Sequence, residues 1–241
     1  MVWIMLQHCS IIQTIKITFK TKNLLKKSVL HIVIARNTSQ NPHQFCNAHS
    51  GDYMLKKIGE LTFKLSGWQH HVEPGILEDK QVLIGFEHTS MMDAVLSLAL
   101  FQIQQIKIHT LMKKELFKGP LKPFLNAIGA IPVDRKSNQD IVSQMVTLFQ
   151  QNQKFNLVIA PEATRAKNGE ARKPIRTGFW HIAKAANVPI VLMFANSKTK
   201  KGGIFAKIYP SDLDTDLAEI KRLYLHHTGL EIIIPEASTQ N

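Results

Sequence analysis

Val82-Leu83-Ile84-Gly85-Phe86-Glu87-His88-Thr89-Ser90-Met91-Met92-Asp93 is the stretch on which the reading of this chain turns. Val82 to Phe86 is a short apolar run, bounded by polar residues, and predicts a buried strand. Ala94 to Phe101 is longer and rich in Ala and Leu, and predicts a buried helix. His88 therefore falls where a strand gives way to a helix, the rim at which open α/β sheets handle ligands. Two readings of the junction stay open. Ser90 with Asp93 three residues on forms a Ser-x-x-Asp capping box, which makes His88 an incidental loop residue. Alternatively, Asp93 in the first helical turn orients the imidazole. A carboxylate on one ring nitrogen fixes the tautomer and leaves the other nitrogen free to take a proton. The positive end of the helix favours the neutral, basic form. The two readings are compatible.

Outward from this stretch, strands and helices alternate. Leu55, Ile58, Leu61 and Leu65 share a helical face, with Lys56, Lys57, Glu60 and Lys64 on the others. That face either packs on the core or lies on a membrane. Gly67 ends the helix. Trp68 to Val72 reads as a short strand and Glu73-Pro74-Gly75 as a turn. Ile106 to Leu111, Gly129 to Val133, Leu157 to Ala160, Ile190 to Phe194 and Ile204 to Tyr209 read as further strands. A short helical stretch follows Lys113, and Ile141, Met145, Leu148 and Phe149 mark an amphipathic helix. Phe179 to Ala186 and Leu213 to Tyr224 mark two more. The pattern predicts one α/β domain with a mostly parallel central sheet flanked by helices.

The chain has 241 residues, of which 44% are hydrophobic, enough for one sizeable core. Its formal net charge is +12, which suits an anionic partner such as phosphate or acidic lipid. Residues 1–53 differ from the rest: a basic arm rich in Asn, Gln, His, Thr and Lys, without sustained periodicity, expected to be disordered. The character changes at Met54, which is the expected functional start, with the arm a mis-assigned translation start or a dispensable extension and 54–241 the domain. Both cysteines, Cys9 and Cys46, lie in the arm, so the domain has no Cys-based metal site or disulfide framework. No run of about 18 apolar residues occurs, so no membrane-spanning helix is expected. The arm lacks the Arg- and Ser-rich composition of a transit peptide.

Three more segments sit where His88 sits, each after an apolar strand. Lys113 follows Ile106–Leu111, Arg135 follows Ile131–Val133, and Glu162 and Arg165 follow Leu157–Ala160. If the strands are parallel, all four segments open at one edge of the sheet. A histidine base is then ringed by Lys113, Arg135 and Arg165. Arginine recognises phosphate through paired N–H donors and lysine as a point charge. Each cation taken singly reads equally as a solvated surface residue.

From about Met54 to the last helix, the sequence resembles the glycerolipid acyltransferases typified by 1-acyl-sn-glycerol-3-phosphate acyltransferase. Four blocks in order carry the resemblance: His88-x4-Asp93; Lys113-Lys114-Glu115-Leu116 through Gly129-Ala130-Ile131-Pro132-Val133-Asp134-Arg135; Pro161-Glu162-Ala163-Thr164-Arg165; and Val188-Pro189-Ile190-Val191. The resemblance implies a glycerol-3-phosphate acyltransferase-like fold. It also implies an O-acyltransferase that moves a fatty acyl group from acyl-CoA or acyl-carrier protein to the hydroxyl of a lysophosphatidate-like acceptor. His88 is implied as general base and Asp93 as its orienter. Glu162, Thr164, Arg165, Lys113 and Arg135 are implied as acceptor-binding residues. The thioester brings its own leaving group, so no metal or cofactor is expected beyond the acyl donor. The implied setting is the cytoplasmic face of an anionic membrane, with the protein peripheral to it. Three positions depart from the family pattern: Glu87 replaces the usual Asn, Ala163 the usual Gly and Ala166 the usual Ser.

Other classes compete. A non-catalytic protein could keep the cationic rim to bind anionic lipid. A metal-dependent phosphoesterase could use His88 and Asp93 as ligands, but no further His/Asp cluster has ligand spacing. Nucleic-acid binding rests on charge alone, with only 7% aromatic residues and no recognition motif, and is not expected.

Overall fold

The computed structural model of the chain describes residues 4–9, 12–19, 28–35, 48–86, 91–118, 122–133, 138–161 and 174–235. They belong to two compact units, Met1–Lys57 and Ile58–Asn241. The first unit holds an antiparallel sheet of β1 (Ile4–Cys9), β2 (Ile12–Phe19) and β3 (Ser28–Ala35), in that order. Cys9 pairs with Ile12 and Phe19 with Ser28. Here the structure differs from the sequence reading, which expected an arm without regular structure. The physical reason is the density of Ile, Val and Thr in β2 and β3, whose branched Cβ favours the extended backbone. The helix α1 (Ala48–Ser66) also begins before Met54, inside the polar stretch expected to be disordered.

The second unit continues with β4 (Gln69–Val72), β5 (Lys80–Phe86), α2 (Met91–Ile103) and β6 (Ile108–Lys113). A 3-10 helix (Lys114–Lys118), α3 (Lys122–Ala127), β7 (Ala130–Val133), α4 (Asn138–Gln151) and β8 (Phe155–Ile159) follow. Then come α5 (Gly178–Ala186), β9 (Ile190–Asn196), β10 (Lys201–Ile208) and α6 (Leu213–Thr228). The sheet has seven strands in the order β4-β10-β9-β5-β8-β6-β7. β9, β5, β8, β6 and β7 run parallel. β10 is antiparallel to β9, and β4 runs with β10. The α/β class with a mostly parallel sheet is thus the observed one.

β5 is apolar almost without interruption because both its faces are covered. Val82, Ile84 and Phe86 pack with Met145 and Phe149 of α4, Phe179 and Ile182 of α5, and Leu217 and Tyr224 of α6. Leu83 points to the other layer, with Leu96, Ala99 and Leu100 of α2 and Phe63 of α1. The buried Tyr224 hydroxyl sits between the carbonyls of Met193 (2.7 Å) and Ile84 (3.1 Å), so α6 is tied to both central strands. The indole N–H of Trp180 donates to Asp216 (2.7 Å), which also accepts from the Ser211 N–H, and this links α5 to α6. At the strand-entry edge the buried Gln81 side chain donates to Asn156 (2.9 Å), whose own amide donates to the Lys107 carbonyl (3.1 Å). That amide relay ties β5 and β8 to the segment entering β6.

α1 corrects one expectation. The core-facing side of the helix is Gly59 and Phe63, not the leucine stripe. Phe63 is buried, and a Cβ at Gly59 would lie 2.6 Å from the Ala99 carbonyl oxygen, so only glycine lets α1 approach α2 so closely. Leu61 and Leu65 are 52% and 75% exposed. Both are two residues from Phe63, which at about 100° per residue turns them to the opposite side. The packed-core reading of that stripe therefore fails for Leu61 and Leu65. Gly67 closes the helix with φ of 69°, as expected.

His109 of β6 stacks on Phe155 of β8, with ring centroids 4.4 Å apart. Its Nδ1 is buried with no hydrogen-bond partner among the described residues. Burial holds this imidazole below its usual 6.5, with the Asn156 backbone hydrogen bond pulling the other way and the Lys107 charge adding to the depression. Between the depressed value and 6.5 the unfolded chain takes up a proton that the folded chain refuses. Stability therefore falls as pH drops through that window. His109→Phe keeps the stack and removes the titration. Urea melts between about pH 7 and pH 5 are expected to slope less steeply in the variant than in the parent; equal slopes would show that His109 does not carry the effect.

Candidate active site

The parallel register brings four strand exits to one edge. Ile84 pairs with Ile159 across β5 and β8. Thr110 pairs with Val158 across β6 and β8, and Leu111 with Ile131 across β6 and β7. Ile84, Ile159, Leu111 and Ile131 therefore form one row across four neighbouring strands. His88 stands four residues beyond that row, Glu162 three, Lys113 two and Arg135 four. At about 4.8 Å per strand, the exits of β5 and β8 are one step apart and those of β5 and β7 about 14 Å apart. The condition set by the sequence reading, that these strands be parallel, is met by the backbone.

Lys113 is the last residue of β6, not a residue after it, and is exposed. Asp93 is in the first turn of α2, which begins at Met91. His88, Ser90, Arg135, Glu162, Thr164 and Arg165 lie outside the described residues, and with them the proposed capping box. What is described are the chain segments that flank them. β5 ends at Phe86 and α2 starts at Met91, so residues 87–90 bridge strand to helix directly. After β8, the Arg176 N–H donates to the Pro161 carbonyl (3.1 Å), so the two ends of the chain around 162–173 are held together at this edge. The Ile175 N–H donates to the Ile233 carbonyl (2.9 Å), which brings the C-terminal tail to the same place. α5 then begins at Gly178.

Among the described residues no group of three or more His, Cys, Asp or Glu is placed to hold a metal ion. A cleft of about 380 Å³ between the turn after β4 and the end of α2, lined by His70, Glu73 and Gln104 among others, lies away from the strand exits. None of the residues singled out by the sequence lines this cleft. The sequence reading passed over Lys198, Lys200 and Lys201, which the hairpin between β9 and β10 brings to the same edge. Their signal was legible as a basic cluster between two apolar strands.

A mostly parallel α/β sheet with three of the four sequence blocks at its strand exits defines a class. The acyltransferase family model matches residues 69–194, more than half of the chain, and the chain belongs to that family. The matched span includes β5, β6, β7, β8 and α5, and so every strand exit described above. Among solved structures, the fold is shared with the 1-acyl-sn-glycerophosphate (LPA) acyltransferase PlsC from Thermotoga maritima. The TM-score is 0.51 at 15% sequence identity, over 79% of this chain and 86% of that one. No curated protein sequence matches the chain. No helix among the described residues is long and apolar enough to cross a membrane.

Proposed function

We propose that this acyltransferase moves a fatty acyl group from an acyl thioester, carried by CoA or acyl-carrier protein, to the free hydroxyl of a lysophosphatidate-like acceptor in phospholipid synthesis. His88 takes the proton from the acceptor hydroxyl as its oxygen attacks the thioester carbonyl. Asp93 orients the imidazole and stabilises the imidazolium that forms. The carbon–sulfur bond breaks and the thiolate leaves with the donor, taking up a proton. Arg165, Glu162 and Thr164 hold the acceptor from the β8 exit, with Lys113 and Arg135 sharing its phosphate. An alcohol is a poor nucleophile at neutral pH, so a positioned base is the main requirement of this reaction. The thioester supplies its own leaving group and needs no metal. Backbone N–H groups at the start of α2 are the candidate donors to the tetrahedral oxyanion.

The observation that carries this reading is the shared row of strand exits. Segments remote in sequence, which together carry three of the family's four blocks, leave neighbouring parallel strands on the same side. The enzyme works at a membrane face as a peripheral protein, since its acceptor is a lipid.

The test is thiol release from acyl-CoA and from acyl-carrier protein against a panel of acceptors. Lysophosphatidate is expected to support turnover, and monoacylglycerol, which lacks the phosphate, at most a small fraction of it. Equal rates with both acceptors would remove the phosphate-binding role from Arg165, Lys113 and Arg135. No thiol release with any acceptor, combined with binding to acidic lipid, would favour a non-catalytic lipid-binding protein.

A further inference from the structure

The edge that carries the strand exits also collects charge. The hairpin between β9 and β10 leaves the sheet there, because Phe194 pairs with Phe86 at the end of β5. It presents Lys198, Lys200 and Lys201, all exposed. The Asn196 side chain accepts from the N–H groups of Lys198 (3.0 Å) and Thr199 (3.1 Å), and the Gln69 N–H donates to the Lys200 carbonyl (2.9 Å). The turn is therefore built, and it keeps a lysine at φ of 52°, a conformation in which glycine or asparagine is easier. The last turn of α1 ends beside it: a Cβ at Gly67 would lie 3.8 Å from the Lys200 ammonium. That turn carries Lys64 and the largely exposed Leu65.

Beyond the exits of β5 and β8, the 3-10 helix after β6 repeats the combination. Leu116 is 47% exposed and stands between Lys114 and Lys118, both exposed. None of Lys64, Lys114, Lys118, Lys198, Lys200 or Lys201 has a carboxylate partner among the described residues. At the opposite edge two cations are matched, Lys207 by Glu78 (2.7 Å) and Lys154 by Asp79 (3.0 Å), while Lys80 and Lys107 have no ion pair among the described residues.

We propose that the strand-exit edge is the face that lies on the bilayer, and that it grips an anionic phospholipid surface at two footholds. One is the Lys198–Lys201 turn with Lys64 and Leu65; the other is the 3-10 helix with Lys114, Leu116 and Lys118. They flank the exits of β5 and β8. The Lys198–Lys201 turn is at β9 and β10 and the 3-10 helix at β6, three to four strands along the sheet order, or about 14–19 Å apart at 4.8 Å per strand. Sheet twist splays the two, so they seat separately and not as one flat surface. Lysines draw the edge to the negative leaflet, and each leucine enters the headgroup boundary. An acidic carrier protein would also meet the lysines, but it gives no use to two separated apolar tips. This assignment rests on the lipid-acceptor reading above, which it extends by naming the surface that delivers the acceptor.

The experiment is co-sedimentation of the full chain with phosphatidylcholine vesicles and with vesicles containing phosphatidylglycerol. It uses a triple variant, Lys198→Gln, Lys200→Asn and Lys201→Gln, and the pair Leu65→Gln and Leu116→Gln. Thermal melts and turnover of a soluble short-chain acceptor check that each variant is folded and competent. The parent is expected to bind the anionic vesicles and not the neutral ones. The triple variant is expected to bind them on the order of 100-fold more weakly, at about 1 kcal/mol per lysine. The leucine variant should lose at least several-fold. Unchanged vesicle binding in both variants overturns the assignment, as does a parent that ignores anionic vesicles. Loss of carrier-protein binding with vesicle binding intact overturns it in favour of a protein partner. A parent that binds vesicles but transfers no acyl group leaves these footholds standing and removes the catalytic reading instead.

Discussion

Replacing His88 with alanine is expected to lower acceptor-dependent thiol release by about 10²–10⁴-fold, the contribution of a positioned general base. Without the imidazole, the acceptor hydroxyl must attack while still holding its proton, or lose it to water. Binding of the phosphate, proposed for Arg165, Lys113 and Arg135, does not depend on this group. The loss should therefore fall on kcat, with KM for the acceptor changed little. This split separates a base from a residue that merely shapes the loop, which would raise KM as well. Residues 87–90 join the end of β5 to the start of α2, and the core of both elements lies elsewhere, in Val82 to Phe86 and Leu96 to Phe101. The melting temperature of the variant is thus expected to stay near that of the parent. A His88→Ala protein with full turnover would leave the capping box as the whole meaning of the motif.

Much of this arrangement was legible before any coordinates. β5 and α2 could be read because each is apolar almost throughout, and continuous apolar runs are hard to mistake. The shared edge could be read as a condition: four exits converge if the strands are parallel, and pairings such as Ile84 with Ile159 meet that condition. Strand direction was less accessible. β10 was expected as one more strand, yet the chain between Asn196 and Lys201 is too short for a crossover, which needs a dozen or more residues. That length dictates the antiparallel hairpin, and the hairpin in turn delivers the Lys198–Lys201 turn to the exits. The facing of α1 stayed open between core and membrane for a different reason. Apolar periodicity points to Leu61 and Leu65, but the contact with α2 is made by a glycine against a carbonyl, and such a contact has no hydrophobic signature. Gln81 and Asn156 escaped notice in the same way, as polar residues that only become buried partners once β5 and β8 are paired.

Gly129 belongs to the second block and stands directly before β7, and its replacement by alanine is expected to be the most damaging single change to stability considered. Two costs meet there. Its φ of 74° is a left-handed conformation that costs an alanine about 1–2 kcal/mol. A Cβ would also lie 2.1 Å from the Ile108 carbonyl oxygen, a backbone atom of β6 that cannot swing aside. Relieving that overlap means moving β6 from β7, an overpacking cost of about 1–3 kcal/mol. Together they give about 2–5 kcal/mol, or roughly 5–15 °C in melting temperature for a chain of this size. Two further glycines separate the terms. Gly75 has φ of 72° with nothing within 4 Å, so Gly75→Ala should show only the conformational cost. Gly203 is not in the left-handed region, but a Cβ there would lie 1.9 Å from the His71 carbonyl oxygen, so Gly203→Ala should show only the steric one. The Gly129 variant should exceed both. Because β6 ends in Lys113 and β7 leads to Arg135, displacement of the pair moves two of the cations assigned to the phosphate. Folded Gly129→Ala protein is therefore expected to raise KM for a phosphate-bearing acceptor more than KM for the acyl donor. A Gly129→Ala protein as stable as Gly75→Ala would show that β6 yields freely, and that the exits of β6 and β7 are not held by this contact.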